Sequence, residues 1–162
     1  MDQNGLGMTG VLNVLLAEDN ADDVFLLRQA FKKAGMTSNL QTAADGLEAR
    51  AYLKGEGAYG DRTLHPVPNL LLLDLNMPRM NGFELLHWLR EDPEWNHLTV
   101  CVLTASSRED DIRHAFDLRA NSYVVKPSRV DELTAFVTAL HQWHRFAVLP
   151  TRSEYQTPAW QN

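Results

Sequence analysis

Four short apolar runs in this chain each stop on a reactive polar side chain. Val11–Ala17 runs into Glu18 and Asp19, Asn69–Leu73 into Asp74, Leu98–Leu103 into Thr104, and Ser122–Val125 into Lys126. Each run has strand length, and Leu70–Leu73 is continuously apolar, as a central parallel strand covered on both faces must be. In an open parallel sheet the carboxyl ends of the strands share one edge, and ligand sites form in the crevice just beyond it. The pattern therefore predicts that the acids, the hydroxyl and the ammonium meet at a single edge.

Segments of helical period separate the runs. Asn20 can cap a helix whose first turn carries Asp22 and Asp23, where negative charge suits the helix dipole; Val24, Leu27, Phe31 and Ala34 follow at helical spacing, and Gly35 stops the helix. A weak second strand, Leu40–Ala43, precedes a helix over about 46–54. Gly55–Gly60 and Pro66–Pro68 bracket a loop too rich in breakers for regular structure. Asn81 and Gly82 open a helix with Phe83, Leu86 and Leu89 on one side. A fourth helix, 108–118, is built around Ile112, Ala115 and Phe116, and a fifth, about 129–145, around Leu133, Phe136, Val137 and Leu140. Five strand-helix pairs of this kind close through right-handed crossovers into an α/β fold, a doubly wound five-stranded parallel sheet with helices on both faces.

Length and charge narrow the possibilities. A chain of 162 residues can bury roughly 70% of its unfolded surface around one core. The expected organisation is a loose lead over 1–10, one domain over 11–145, and a tail over 146–162 with apolar residues Phe146, Val148, Leu149 and Trp160. A formal charge of −6 without a basic cluster opposes nucleic-acid binding. No apolar run approaches the ~20 residues of a membrane span, and no signal-peptide pattern opens the chain, so a cytoplasmic location is expected. The single cysteine, Cys101, sits in an apolar strand run and is expected to pack in the core. His141 and His144 have metal-like spacing on a helix, but such a pair more often marks a solvated face.

At the sheet edge, Glu18, Asp19 and Asp74 would repel one another without a cation, which points to a hard divalent metal, and Lys126 supplies a fixed positive charge for an anion. Taken singly, each of these residues has a structural reading: an acid after a strand caps a helix, and a threonine there is a turn hydroxyl. Together, metal, anion and carboxylate nucleophile suggest phosphoryl chemistry.

Leu16-Ala-Glu-Asp-Asn20, Leu73-Asp-Leu-Asn-Met-Pro-Arg-Met-Asn-Gly82, Leu103-Thr-Ala-Ser106 and Tyr123-Val-Val-Lys-Pro127 resemble, in this order and at these strand ends, the receiver domain of two-component response regulators. The long 55–68 loop and the Arg119–Ser122 stretch resemble stand-alone members paired with phytochrome-type histidine kinases. The resemblance implies a receiver, flavodoxin-like fold and a regulator rather than an enzyme acting on other substrates. It makes Asp74 the phosphoacceptor, with Mg²⁺ held by Glu18, Asp19, Asp74 and the backbone carbonyl of Asn76. Lys126 would bind a phosphoryl oxygen, Thr104 would hydrogen-bond the phosphoryl group after transfer, and Tyr123 would move with Thr104 as a switch. It also implies a cis peptide at Lys126–Pro127. Glu18 departs from the Asp common at its position. The implied partners are a histidine kinase and, through the fourth helix, fifth strand, fifth helix and tail, a second copy of the chain; the alternative for the tail is a lid over its own core. Two other readings of the site remain: a haloacid-dehalogenase-like phosphatase, which needs a second acid where Asn76 stands, and a receiver-like binding module that is not phosphorylated.

Overall fold

The computed structural model describes residues 10–36 and 40–150. Five parallel strands, β1 (Val14–Ala17), β2 (Leu40–Ala43), β3 (Leu70–Leu73), β4 (Thr99–Thr104) and β5 (Ser122–Val125), form one sheet in the order β2-β1-β3-β4-β5. The helices are α1 (Ala21–Lys33), α2 (Gly46–Lys54), α3 (Gly82–Glu91), α4 (Glu109–Asp117) and α5 (Val130–His144). This is the doubly wound fold expected from the strand-helix alternation.

Alternation within each strand builds two cores. Leu15, Ala17, Leu71, Leu73, Val100 and Val102 face α2, α3 and α4, where Ala49, Leu53, Leu85, Leu89 and Ala115 meet them. Val14, Leu16, Leu70, Leu72 and Leu103 face the opposite way, onto Leu27, Phe31, Leu133 and Val137 of α1 and α5. β1 and β3, at the centre, are apolar at every position because both of their faces are covered. The chain reverses its winding direction between these two strands, the switch point where this topology opens a crevice at the carboxyl ends.

Several local expectations change. β1 begins at Val14 rather than Val11, and Thr104 is the last residue of β4 rather than the residue after it. The loop expected to lack regular structure contains a 3₁₀ turn, Gly57–Gly60. Side chains hold it. The Tyr59 ring lies 5.1 Å from that of Tyr52, its hydroxyl donates to Glu48 at 2.7 Å, and Arg62 donates to the carbonyls of Tyr52 and Leu53 at 2.8 and 2.6 Å. Phe116, assigned above to the core face of α4, is exposed, and only Ala115 of that helix is buried. No cis peptide occurs among the described residues, so Lys126–Pro127 is trans. Cys101 is buried, as expected. His141 places Nδ1 2.7 Å from the Ala34 carbonyl, tying α5 to the end of α1, which is a structural role.

Phe146 and Val148 are exposed, whereas Leu149 packs against the α1/α5 core. The lead over 1–9 and Trp160 lie outside the described residues. No helix among the described residues is long and apolar enough to cross a membrane.

Candidate functional site

Strand register brings the acids together. β1 pairs with β3 so that Ala17 lies beside Leu73, and the next residue on each strand, Glu18 and Asp74, emerges at the same level. The Asp74 N–H donates to the Ala17 carbonyl at 3.0 Å, which continues the ladder to the base of the site. Glu18, Asp19 and Asp74 each offer a carboxylate oxygen, all within 4.8 Å of one another; Glu18 and Asp74 are buried and Asp19 is exposed. Three hard oxygen donors, one open to solvent, fit a divalent cation that keeps part of its water shell.

β5 delivers the opposing charge. Thr104 pairs with Val125 across β4 and β5, and the Lys126 N–H donates to the Thr104 carbonyl at 2.6 Å. From there the lysine crosses the edge of the sheet, and its Nζ donates to Glu18 Oε2 at 2.6 Å and to Asp23 Oδ2 at 2.8 Å. Asp74 Oδ2 is 3.9 Å away. Burial works against the charge on Lys126, but the hydrogen bonds from Asp23 and Glu18 outweigh it and hold the ammonium above the usual lysine value. Burial pushes the Glu18 carboxyl up to about 7; the Lys126 and Asn20 hydrogen bonds pull it down, and nearby Asp74 adds to the rise. The edge thus carries more negative charge than Lys126 alone can balance.

The β3-α3 loop sets Asp74 in place. Gly82 opens α3 so close to β3 that a Cβ there would run into the Asp74 carbonyl and the Leu75 Cα, and its N–H donates to the Leu75 carbonyl at 3.0 Å. Asn81 and Glu84 form a reciprocal capping box at the start of that helix. Arg79, in the left-handed region with φ 62°, pairs with Asp45 at the start of α2, Nη2 to Oδ2 at 2.5 Å. The Gly46 N–H donates to the Met80 carbonyl at 3.0 Å, so α2 and the loop are locked together. Asn76 is exposed at the site, and its N–H donates to Asp74 Oδ1 at 3.4 Å.

Thr104 is fully buried, and its Oγ1 accepts a long hydrogen bond, 3.5 Å, from the Ser106 N–H. Tyr123 is half-buried; its ring packs against the α2/α3/α4 core and its hydroxyl donates to the Ser106 carbonyl at 2.9 Å. Ser106 also donates to Asp111 at 2.5 Å, so one residue links the β4-α4 loop, β5 and α4.

The structure gathers Glu18, Asp19, Asp74 and Lys126 at the sheet edge and ties Thr104 to Tyr123 through Ser106. Two participants escaped the sequence reading. From the sequence Asp23 reads only as a charge suited to the helix dipole, and nothing in the sequence marks the Asp45–Arg79 pair. The one signal for Asp23 was its place in the first turn after Glu18.

A family model for the response regulator receiver domain matches residues 14–138. The response regulator Rcp1 of Synechocystis sp. is 34% identical over 138 residues, covering 85% of this chain and 92% of that protein. The crystal structure of the phosphorylated cyanobacterial phytochrome response regulator RcpA superposes with a TM-score of 0.79 at 36% identity, covering 88% of this chain and all of that one. The Mn²⁺-bound form of Rcp1 superposes with a TM-score of 0.74 at 34% identity, covering 86% and 99%.

Proposed function

The chain belongs to the response regulator receiver domain family, and we propose that it accepts a phosphoryl group on Asp74 from a histidine kinase and passes the event on as a change of surface. The observation that carries this reading is the convergence of Glu18, Asp19 and Asp74 within 4.8 Å, with the Lys126 ammonium 3.9 Å from Asp74. A carboxylate fixed by its own backbone at the end of a strand is a nucleophile that needs only charge neutralisation to react.

Glu18, Asp19, Asp74 and the Asn76 carbonyl would hold Mg²⁺. When bound, the metal supplies positive charge that screens the acceptor and the incoming phosphoryl oxygens. An Asp74 oxygen forms the new bond to phosphorus as the phosphohistidine P–N bond breaks, and the electron pair leaves with the imidazole. Lys126 meets one phosphoryl oxygen as a compact charge with N–H groups to donate. Thr104 donates its hydroxyl hydrogen to another in a charge-assisted bond, while its oxygen accepts only a long hydrogen bond from the Ser106 N–H that restrains it weakly. Because the Ser106 carbonyl holds the Tyr123 hydroxyl, drawing the Thr104–Ser106 segment inward releases the tyrosine. Hydrolysis of the acyl phosphate resets the site, so the chain acts on its own phosphoryl group rather than on a separate substrate.

Partner assignment follows the relatives. RcpA, a cyanobacterial phytochrome response regulator, supports a phytochrome-type histidine kinase as the phosphodonor. Exposed Phe116 on α4, Val125 on β5 and Val130 on α5 support a homodimer through this face, with Phe146 and Val148 of the tail extending it.

The test is phosphorylation of the purified protein by a histidine kinase and by a small phosphodonor. Label should require a divalent cation and vanish in Asp74→Asn. Undiminished label in Asp74→Asn, or in excess chelator, would refute the reading.

A further inference from the structure

Lys126 is held by two acids that play different parts. Glu18 is shared, since it also belongs to the three-carboxylate group, whereas the Asp23 carboxylate pairs with no described residue except Lys126, at 2.8 Å. Asp23 is itself fixed. Its N–H donates to the Asn20 side chain at 3.0 Å, the N-cap bond that starts α1. The first turn of α1 thus sets an anion 2.8 Å from the ammonium at the end of β5, across 103 positions of sequence.

A lysine ammonium has three N–H groups on a flexible four-carbon stem. Glu18 and Asp23 take two of them, and the third is left for the direction of Asp74, 3.9 Å from Nζ. Whenever Glu18 is engaged by a cation, Asp23 is the remaining described carboxylate in hydrogen-bond contact with the ammonium.

We propose that Asp23 is a positioning residue for phosphoryl transfer: from the first turn of α1 it holds the Lys126 ammonium at the height where a phosphoryl oxygen on Asp74 will be met. The inference rests on the phosphoacceptor reading above. Asp23 touches neither the phosphoryl group nor the acceptor, and its effect passes entirely through Lys126. Asp22, its exposed neighbour in the same turn, shares its charge and its place in the helix dipole without that contact, and so serves as the control.

The experiment measures the rate of labelling of the full chain by a small phosphodonor at saturating Mg²⁺, in wild type, Asp22→Ala, Asp23→Ala, Lys126→Ala and the Asp23/Lys126 double variant. Asp23→Ala should slow labelling about tenfold or more, as expected when a charged group loses its place by an ångström or so. Asp22→Ala should stay within about twofold, and Asp23→Ala should add nothing once Lys126 is gone. A second readout does not depend on turnover. The Lys126 ammonium resonance, slowed in exchange by two carboxylates, should broaden in Asp23→Ala and persist in Asp22→Ala. Equal losses in the Asp22 and Asp23 variants, a full Asp23 effect without Lys126, or an unchanged rate and resonance in Asp23→Ala would overturn the proposal. Label that survives Asp74→Asn would instead overturn the underlying reading, and the proposal with it.

Discussion

Thr104 shows how a single residue can separate chemistry from signalling. Its hydroxyl accepts only a long hydrogen bond from Ser106, so removing it costs the fold about 1 kcal/mol or less. In the proposed mechanism it is used after transfer, not during it. Thr104→Ala is therefore expected to take label at close to the wild-type rate and to lose the response around Tyr123. Amide chemical shifts of the 120–126 segment, compared before and after phosphorylation, provide the check; the same shift changes in wild type and variant would show that the hydroxyl carries no signal. The place of this residue was legible in sequence because a polar residue that ends an apolar strand has only one edge to occupy. Asp23 was not legible in the same way. Nothing local distinguishes it from Asp22, and its partner Lys126 is brought to it only by the closure of the whole sheet.

At the scale of elements, the loop between β3 and α3 governs the acceptor. Gly82 lies where any side chain would press on the Asp74 carbonyl. Gly82→Ala should destabilise the protein by about 1–3 kcal/mol, the usual cost of overpacking, and should slow labelling as well because the displaced atoms belong to the acceptor. Denaturant midpoints and labelling rates measured together decide it; a loss of stability with an unchanged rate would mean that the site absorbs the strain.

Asp45 anchors the same loop from α2. Burial opposes its ionisation, yet the Glu48 N–H and the Arg79 guanidinium outweigh that and hold its carboxyl below the usual range. A carboxyl depressed in the folded state stabilises the fold fully above its unfolded value of about 3.9, and the benefit disappears as pH falls through the lower folded value. The stability gap between wild type and Asp45→Asn should be widest at neutral pH and should close below about pH 3.9. A gap constant down to pH 2.5 would contradict this. Helix and strand identities were readable from periodicity and caps, but this pair was hidden because it depends on two elements meeting across 34 positions. The 3₁₀ turn was hidden for a similar reason, since composition registers Gly57 and Gly60 but not the grip of Tyr59 and Arg62.

For the whole molecule, the α/β class was legible because alternating strands and helices admit few other closures, whereas the destination of exposed apolar surface was not. Periodicity put Phe116 in the core, but Ala115 is the one residue of α4 that is buried, and the phenyl ring is left outside, 47% exposed. Next to it, β5 is an edge strand, buried only in part along its length and ending on exposed Val125. An open edge with apolar neighbours invites association, and a stable dimer needs about 800 Å² from each partner. Tyr123 lies on that same strand and is tied to Ser106, so a switch at Thr104 would reach the surface where a second copy would sit. The wild-type chain should form a dimer whose affinity changes on phosphorylation, and Phe116→Asp should leave the monomer folded and labelled while weakening association at least tenfold, because a buried unpaired carboxylate would replace an apolar contact. Sedimentation across a concentration series, with and without Mg²⁺ and a small phosphodonor, measures both effects. Monomers under every condition would leave this face to the kinase alone, and an undisturbed dimer in Phe116→Asp would move the interface elsewhere on the molecule.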